Sequence, residues 1–153
     1  MNGGSGATAP VGSIDLALAH AARLLDRDPA LAAEQAREVL KAVPGHPNAV
    51  LVLAIAQCAG GDAAAAQALL APLVVSQPRW AAARYEHGVA LGALGRGDEA
   101  VAELKRAVEL NPDLPNAWRA LADHLEAVGD DAGAETARAR FLKVSTRDPR
   151  LLA

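Results

Sequence analysis

The chain has 153 residues, 52% of them hydrophobic, 22% charged and 3% aromatic, with a formal net charge of -3. That length can bury a substantial core, and a core of Ala, Leu and Val with few aromatics favours closely spaced helices over a β-sandwich. The slightly acidic balance gives no general basis for binding nucleic acid or an anionic membrane.

The first segment, "MNGGSGATAPVGS", has no basic n-region, and Asp15, His20 and Arg23 interrupt the apolar stretch behind it. Neither a signal peptide nor a membrane span is expected, and residues 1–12 read as a flexible tail. Apolar periodicity then predicts a helix over about 13–26 and a second over 29–42, with Asp28 as N-cap and Pro29 at the first helical position. Pro44 ends this pair. Helices over 47–59 and 63–75 follow, separated by Gly61, and the run "AVLVLAIA" in the first of them is apolar all round.

A third pair is predicted at 81–93 and 98–110. The glycines of "GALGRG", Gly92 to Gly97, follow a helix where a dinucleotide fingerprint would follow a strand, so they read as a turn, with Asp98 as N-cap. The Arg96, Gly97, Asp98 tripeptide is an accidental match to an adhesion motif. The last pair spans 115–128 and 131–145 around Gly129. Cations at Arg138, Arg140, Lys143, Arg147 and Arg150 read as a solvated helix end complementing the helix dipole. Asp148 and Pro149 are a good cap and first-turn pair for a further helix, so 147–153 reads as the start of one and the chain is expected to continue past Ala153.

These pairs are in register. Pro44, Pro78 and Pro112 are 34 residues apart, as are Gly61, Gly95 and Gly129, and Ala32, Ala66, Ala100 and Ala134; a fourth column holds His20, Ala54, Gly88 and Ala122. The glycines suit helix C-termini that turn with positive φ, the prolines stop each second helix, and the small residues let paired helices approach closely. One hairpin cannot bury its apolar face alone, whereas stacked neighbours make a continuous core.

With Trp118, Leu121, Ala122 and Leu125 fitting its W-x2-L-G-x2-Y pattern with conservative changes, and Gly88, Leu91, Ala100, Leu104, Ala107 and Pro112 at family positions one unit earlier, the chain resembles the tetratricopeptide repeat family. The resemblance implies an all-α, right-handed solenoid of four stacked helix-turn-helix hairpins over 13–146, in units of about 13–46, 47–80, 81–114 and 115–146. Arg138 stands where the pattern prefers an aromatic, and the first unit departs from it at His20 and Arg23.

If Trp118, Leu121, Ala122 and Leu125 face their hairpin partner, Asn116, Arg119, Ala120 and Asp123 project from the opposite side, which in the family lines the concave groove. Steps of 34 place Ala82, Tyr85, Glu86 and Val89 there, then Asn48, Leu51, Val52 and Ile55, then Ile14, Ala17, Leu18 and Ala21. The face grows more apolar toward the N-terminus. A partner surface is expected to centre on Leu51, Val52, Ile55, Tyr85 and Val89, with Asn48, Glu86, Arg119 and Asp123 setting register. The expected ligand is an apolar or amphipathic peptide segment or a second chain, with a homodimer through the apolar N-terminal groove among the readings. The competing account is that a shallow superhelix buries these residues within the fold.

No constellation reads as an active site. His20, His46, His87 and His124 fall in different columns, and none makes metal-ligand spacing with Cys58. His20 and His87 are expected on packed faces, and His46 and His124 exposed. The lone Cys58 reads as a small hydrophobe; one cysteine cannot make an intramolecular disulfide, so nothing points to an oxidising compartment and a reducing cytoplasm is the default expectation. The expected function is non-catalytic, without cofactor or metal, in protein-protein interaction, with neither nucleic acid nor membrane as partner. The alternative comes from "LKVSTRDPRLLA", similar to the junction in bacterial tetratricopeptide proteins with a C-terminal sulfotransferase domain. On that reading these residues serve a larger enzyme in substrate recruitment or dimerisation.

Overall fold

A computed structural model describes residues 11–147 and, among them, eight helices: α1 Val11–Leu24, α2 Pro29–Ala42, α3 Pro47–Ala59, α4 Ala63–Ser76, α5 Ala81–Ala93, α6 Gly97–Leu110, α7 Pro115–Ala127 and α8 Asp131–Ser145. Each bound falls within two residues of the one expected from proline and glycine spacing. Of the expected tail, Val11 and Gly12 form the first turn of α1, and the rest lies outside the described residues, as do Asp148 and Pro149.

The helix ends follow local chemistry. Asp28 Oδ1 accepts from Leu31 N at 3.0 Å ahead of Pro29, and Asp130 Oδ1 accepts from Gly133 N at 2.9 Å. Gly61, Gly95 and Gly129 take φ of +87°, +75° and +86°. After each, the next amide reaches back five residues: Asp62 N to Gln57 O, Arg96 N to Leu91 O and Asp130 N to Leu125 O, at 2.8 to 2.9 Å. This is one Schellman-type closure written three times.

One expected cap is corrected. The chain enters α6 at Gly97 with Arg96 at the cap position, so Asp98 lies in the first turn, where its charge faces the positive end of the helix dipole. Arg96 instead pairs with Glu99, Nε to Oε2 at 2.5 Å.

The chain forms two compact units divided after Asp62. In the first, α2 packs against both α1 and α3, and α1 also touches α3; Leu18, Val39 and Ala49 form a core with Ile14, Ala17 and Leu40 packed on it. In the second, α4 to α8 pack each against the next, and α5 also touches α7. Its core holds Val101, Leu104, Val108, Leu121 and Leu125, with Ala117, Ala122, Ala134 and Ala137 between them. Ala100 and Ala134, in the small-residue column, are fully buried. At Gly88 a Cβ would come within 2.7 Å of Leu104 Cγ, so α5 and α6 approach as closely as only glycine permits. Pro72 sits on the exposed side of α4, where it removes one helical hydrogen bond.

Candidate interaction surface

The expected surface residues lie on the first helices of the hairpins, and each unit presents its own set. In the first unit Asn48 is exposed, Leu51 and Ile55 are half-buried, and Val52 is buried at 8% exposure. Leu51 and Ile55 therefore offer apolar surface, and Val52 offers little. Leu18 and Ala21, at the matching positions of α1, are likewise buried, which agrees with the account in which the fold itself takes up part of this apolar face.

In the second unit α5 and α7 touch, and their shared face carries Tyr85, Glu86 and Val89, all half-buried, beside exposed Arg119 and Asp123. Tyr85 packs against the core that contains Leu121 and Leu125. Burial pushes its hydroxyl pKa up, the neighbouring Glu86 adds to the rise, and Arg119 opposes it. The Glu86 carboxyl has no hydrogen bond or ion pair with any described residue, and burial pushes its pKa from 4.5 up to about 7. Helical periodicity places Glu86 on this face. Its desolvation depends on neighbours from other helices and leaves no mark in the local sequence.

The opposite side of α5 packs into its hairpin. Arg84 Nη1 donates to Glu103 on α6, and His87 Nδ1 lies 3.3 Å from the same carboxylate. Burial alone would raise the Glu103 pKa, but His87 and Arg84 together outweigh it and hold the carboxyl below its usual range. This trio was not anticipated, because Arg84 and Glu103 are 19 residues apart and meet only when the hairpin closes.

Histidine expectations divide. His87 is buried as expected. His20 is exposed, contrary to expectation, although it still faces its hairpin partner, with its Nδ1 and Gln35 Oε1 on α2 2.8 Å apart. His46, half-buried, caps α3 by accepting from Ala49 N. His124, expected in solvent, is half-buried against Gly92, whose missing side chain leaves room for the ring. Among the described residues no cluster of His, Cys, Asp or Glu is placed to hold a metal ion, and no helix is long and apolar enough to cross a membrane.

A tetratricopeptide repeat model matches residues 23–85, and a second TPR repeat model matches 88–129. No curated protein matches. Among solved structures, MamA from Desulfovibrio magneticus RS-1 is similar at a TM-score of 0.75 with 18% identity, covering 89% of this chain and 77% of that one. MamA AMB-1 is similar at 0.66 with 25% identity, covering 86% and 78%, and MamA MSR-1 at 0.68 with 22% identity, covering 91% and 82%.

Proposed function

From the premise that the chain belongs to the tetratricopeptide repeat family, we propose that it is a non-catalytic interaction scaffold whose α5/α7 face holds an amphipathic segment of a partner protein. The observation that carries this reading is Glu86. A half-buried carboxyl with no partner among the described residues, flanked by Tyr85 and Val89, is an unfinished piece of interior that an incoming chain would complete. Tyr85 and Val89 supply apolar contact, while Arg119 and Asp123 at the exposed edge fix register. Leu51 and Ile55, with Asn48 beside them, give the first unit a separate apolar face of the same kind.

The test is selection of peptides from a random library on the purified chain, followed by titration against Val89→Glu and Arg119→Glu. Selected peptides should bind the unaltered protein and lose at least about 10-fold in affinity with Val89→Glu, the scale of one interface anchor. Far-UV circular dichroism should stay unchanged. Peptides that bind both variants undiminished place the site elsewhere, and sedimentation velocity on Leu51→Glu and Ile55→Glu shows whether the occupant of the first unit's face is a second copy.

A further inference from the structure

The basic run at the end of α8 does not behave as one solvated helix end. Arg138 reaches across to Glu126 on α7 and is neutralised there. Arg140, Lys143 and Arg147, spaced by three and four residues, share another face, and their side chains have no hydrogen bond or ion pair with any described residue. Like charges at this spacing repel one another along a helix. Complementing the helix dipole accounts for only one of them, because that effect fades beyond the last turn: Lys143 lies in it, Arg140 lies before it and Arg147 lies past the end of α8.

The three cations stand over a concave feature. Together with Trp118 and Val144 at its base and Pro112 and Asp113 at its rim they line a cleft of about 230 Å³ between α8 and the α6–α7 turn. Its wall is held in place: Trp118 Nε1 donates to Pro112 O at 2.7 Å, and Asp113 N donates to Asn111 Oδ1 at 3.0 Å. The cleft thus joins a hydrogen-bonded tryptophan to cations that no described residue neutralises.

We infer that this cleft is a second docking site, for an acidic segment of a partner protein whose carboxylates pair with Arg140, Lys143 and Arg147 while an apolar side chain packs on Trp118 and Val144. Charge complementarity selects the occupant. Among the described residues one acid lines the cleft, Asp113, which leaves it positive by two charges and suits spaced single carboxylates better than one doubly charged group. A membrane or a nucleic acid would need a broad basic surface, and outside this stripe the chain carries more acids than bases. The site is distinct from the α5/α7 face that carries Glu86 and Val89.

The test is fluorescence titration of the full chain with a short peptide alternating glutamate and leucine, in a Trp80→Phe background that leaves Trp118 as the sole tryptophan. The glutamate peptide should shift Trp118 emission, and its glutamine counterpart should not. Single changes Arg140→Gln, Lys143→Gln and Arg147→Gln should each weaken binding about 2- to 5-fold, as exposed ion pairs do, and raised salt should weaken it further. Arg138→Gln and Val89→Glu should leave it intact, which separates failure here from failure of the α5/α7 reading. Equal binding of the glutamine peptide, or unchanged affinity when all three cations are removed, overturns the proposal. So does binding of phosphatidylserine vesicles or inorganic phosphate in preference to the peptide.

Discussion

Arg84 Nη1 reaches both carboxylate oxygens of Glu103, at 2.9 and 3.2 Å, with the two side chains 19% and 18% exposed. The same guanidinium donates from Nε and Nη2 to Pro78 O, so it ties α6, α5 and the turn before α5 together. Removing one partner leaves a desolvated charge behind, whereas replacing both by apolar groups does not. Arg84→Met should therefore cost about 2 to 3 kcal/mol in urea denaturation, and Arg84→Met with Glu103→Leu should recover at least half of it. A double variant as unstable as the sum of the two single ones would show that the pair is not coupled.

The two half-buried carboxyls give opposite pH dependences. Glu86 has its folded pKa raised to about 7, so between 4.5 and 7 the native state keeps a proton that the unfolded chain has released, and stability falls as pH rises. Glu103 has its folded pKa lowered, so its contribution is full above the unfolded value and is lost as pH falls through the folded one. Glu86→Gln should match the unaltered protein near pH 4 and exceed it by about 2 kcal/mol at pH 8, less than the whole shift converts to because the group keeps some water. Parallel stability curves for the two proteins from pH 4 to 8 would rule this out.

Two glycines inside α5 should respond differently to alanine. At Gly88 the added Cβ meets Leu104 Cγ at 2.7 Å and Ala100 O at 3.3 Å, and Leu104 is fully buried. Overpacking of roughly 1 to 3 kcal/mol exceeds the helix-propensity gain of about 1, so Gly88→Ala should lower stability. At Gly92 the three atoms nearest the Cβ all belong to the His124 ring, a half-buried side chain that can rotate toward solvent, so Gly92→Ala should be neutral or stabilising. Thermal melts of both variants decide between these outcomes.

Within "AVLVLAIA" the burial differs residue by residue. Val52→Glu should cost about 3 kcal/mol or more, because it buries an unpaired carboxylate. Leu51→Glu and Ile55→Glu, at half-buried positions, should cost about 1 kcal/mol or less. Chemical denaturation measures all three, and equal losses would mean that this face is uniformly interior.

What could be read from the sequence was whatever is encoded locally. Pro29, Pro47 and Pro115 open helices, and Gly61, Gly95 and Gly129 close them, because backbone preference acts at the residue that carries it. Periodicity placed Leu121 and Leu125 inside and Arg119 and Asp123 outside. It could not resolve Val52 from Ile55, since a helix apolar on every side has no periodic signal. Nor could it see the Arg84–Glu103 pair, the isolation of Glu86, or the division of the α8 cations between Glu126 and an open cleft. Each of these depends on which side chain of another helix arrives opposite.

A chain that writes one hairpin four times invites a particular error during folding, in which a first helix closes on the second helix of the wrong unit. The alanine and glycine columns cannot forbid it, because they are nearly interchangeable. Arg84 and Glu103 can: the positions equivalent to Arg84 are Leu16, Val50 and Trp118, and those equivalent to Glu103 are Gln35, Leu69 and Ala137. Closing α5 on α8 would set Arg84 against Ala137, and closing α7 on α6 would set Glu103 against Trp118, each stranding a charge in apolar surroundings. The ion pair thus gives one hairpin an address in an otherwise degenerate array, penalising mispaired forms more than it stabilises the correct one.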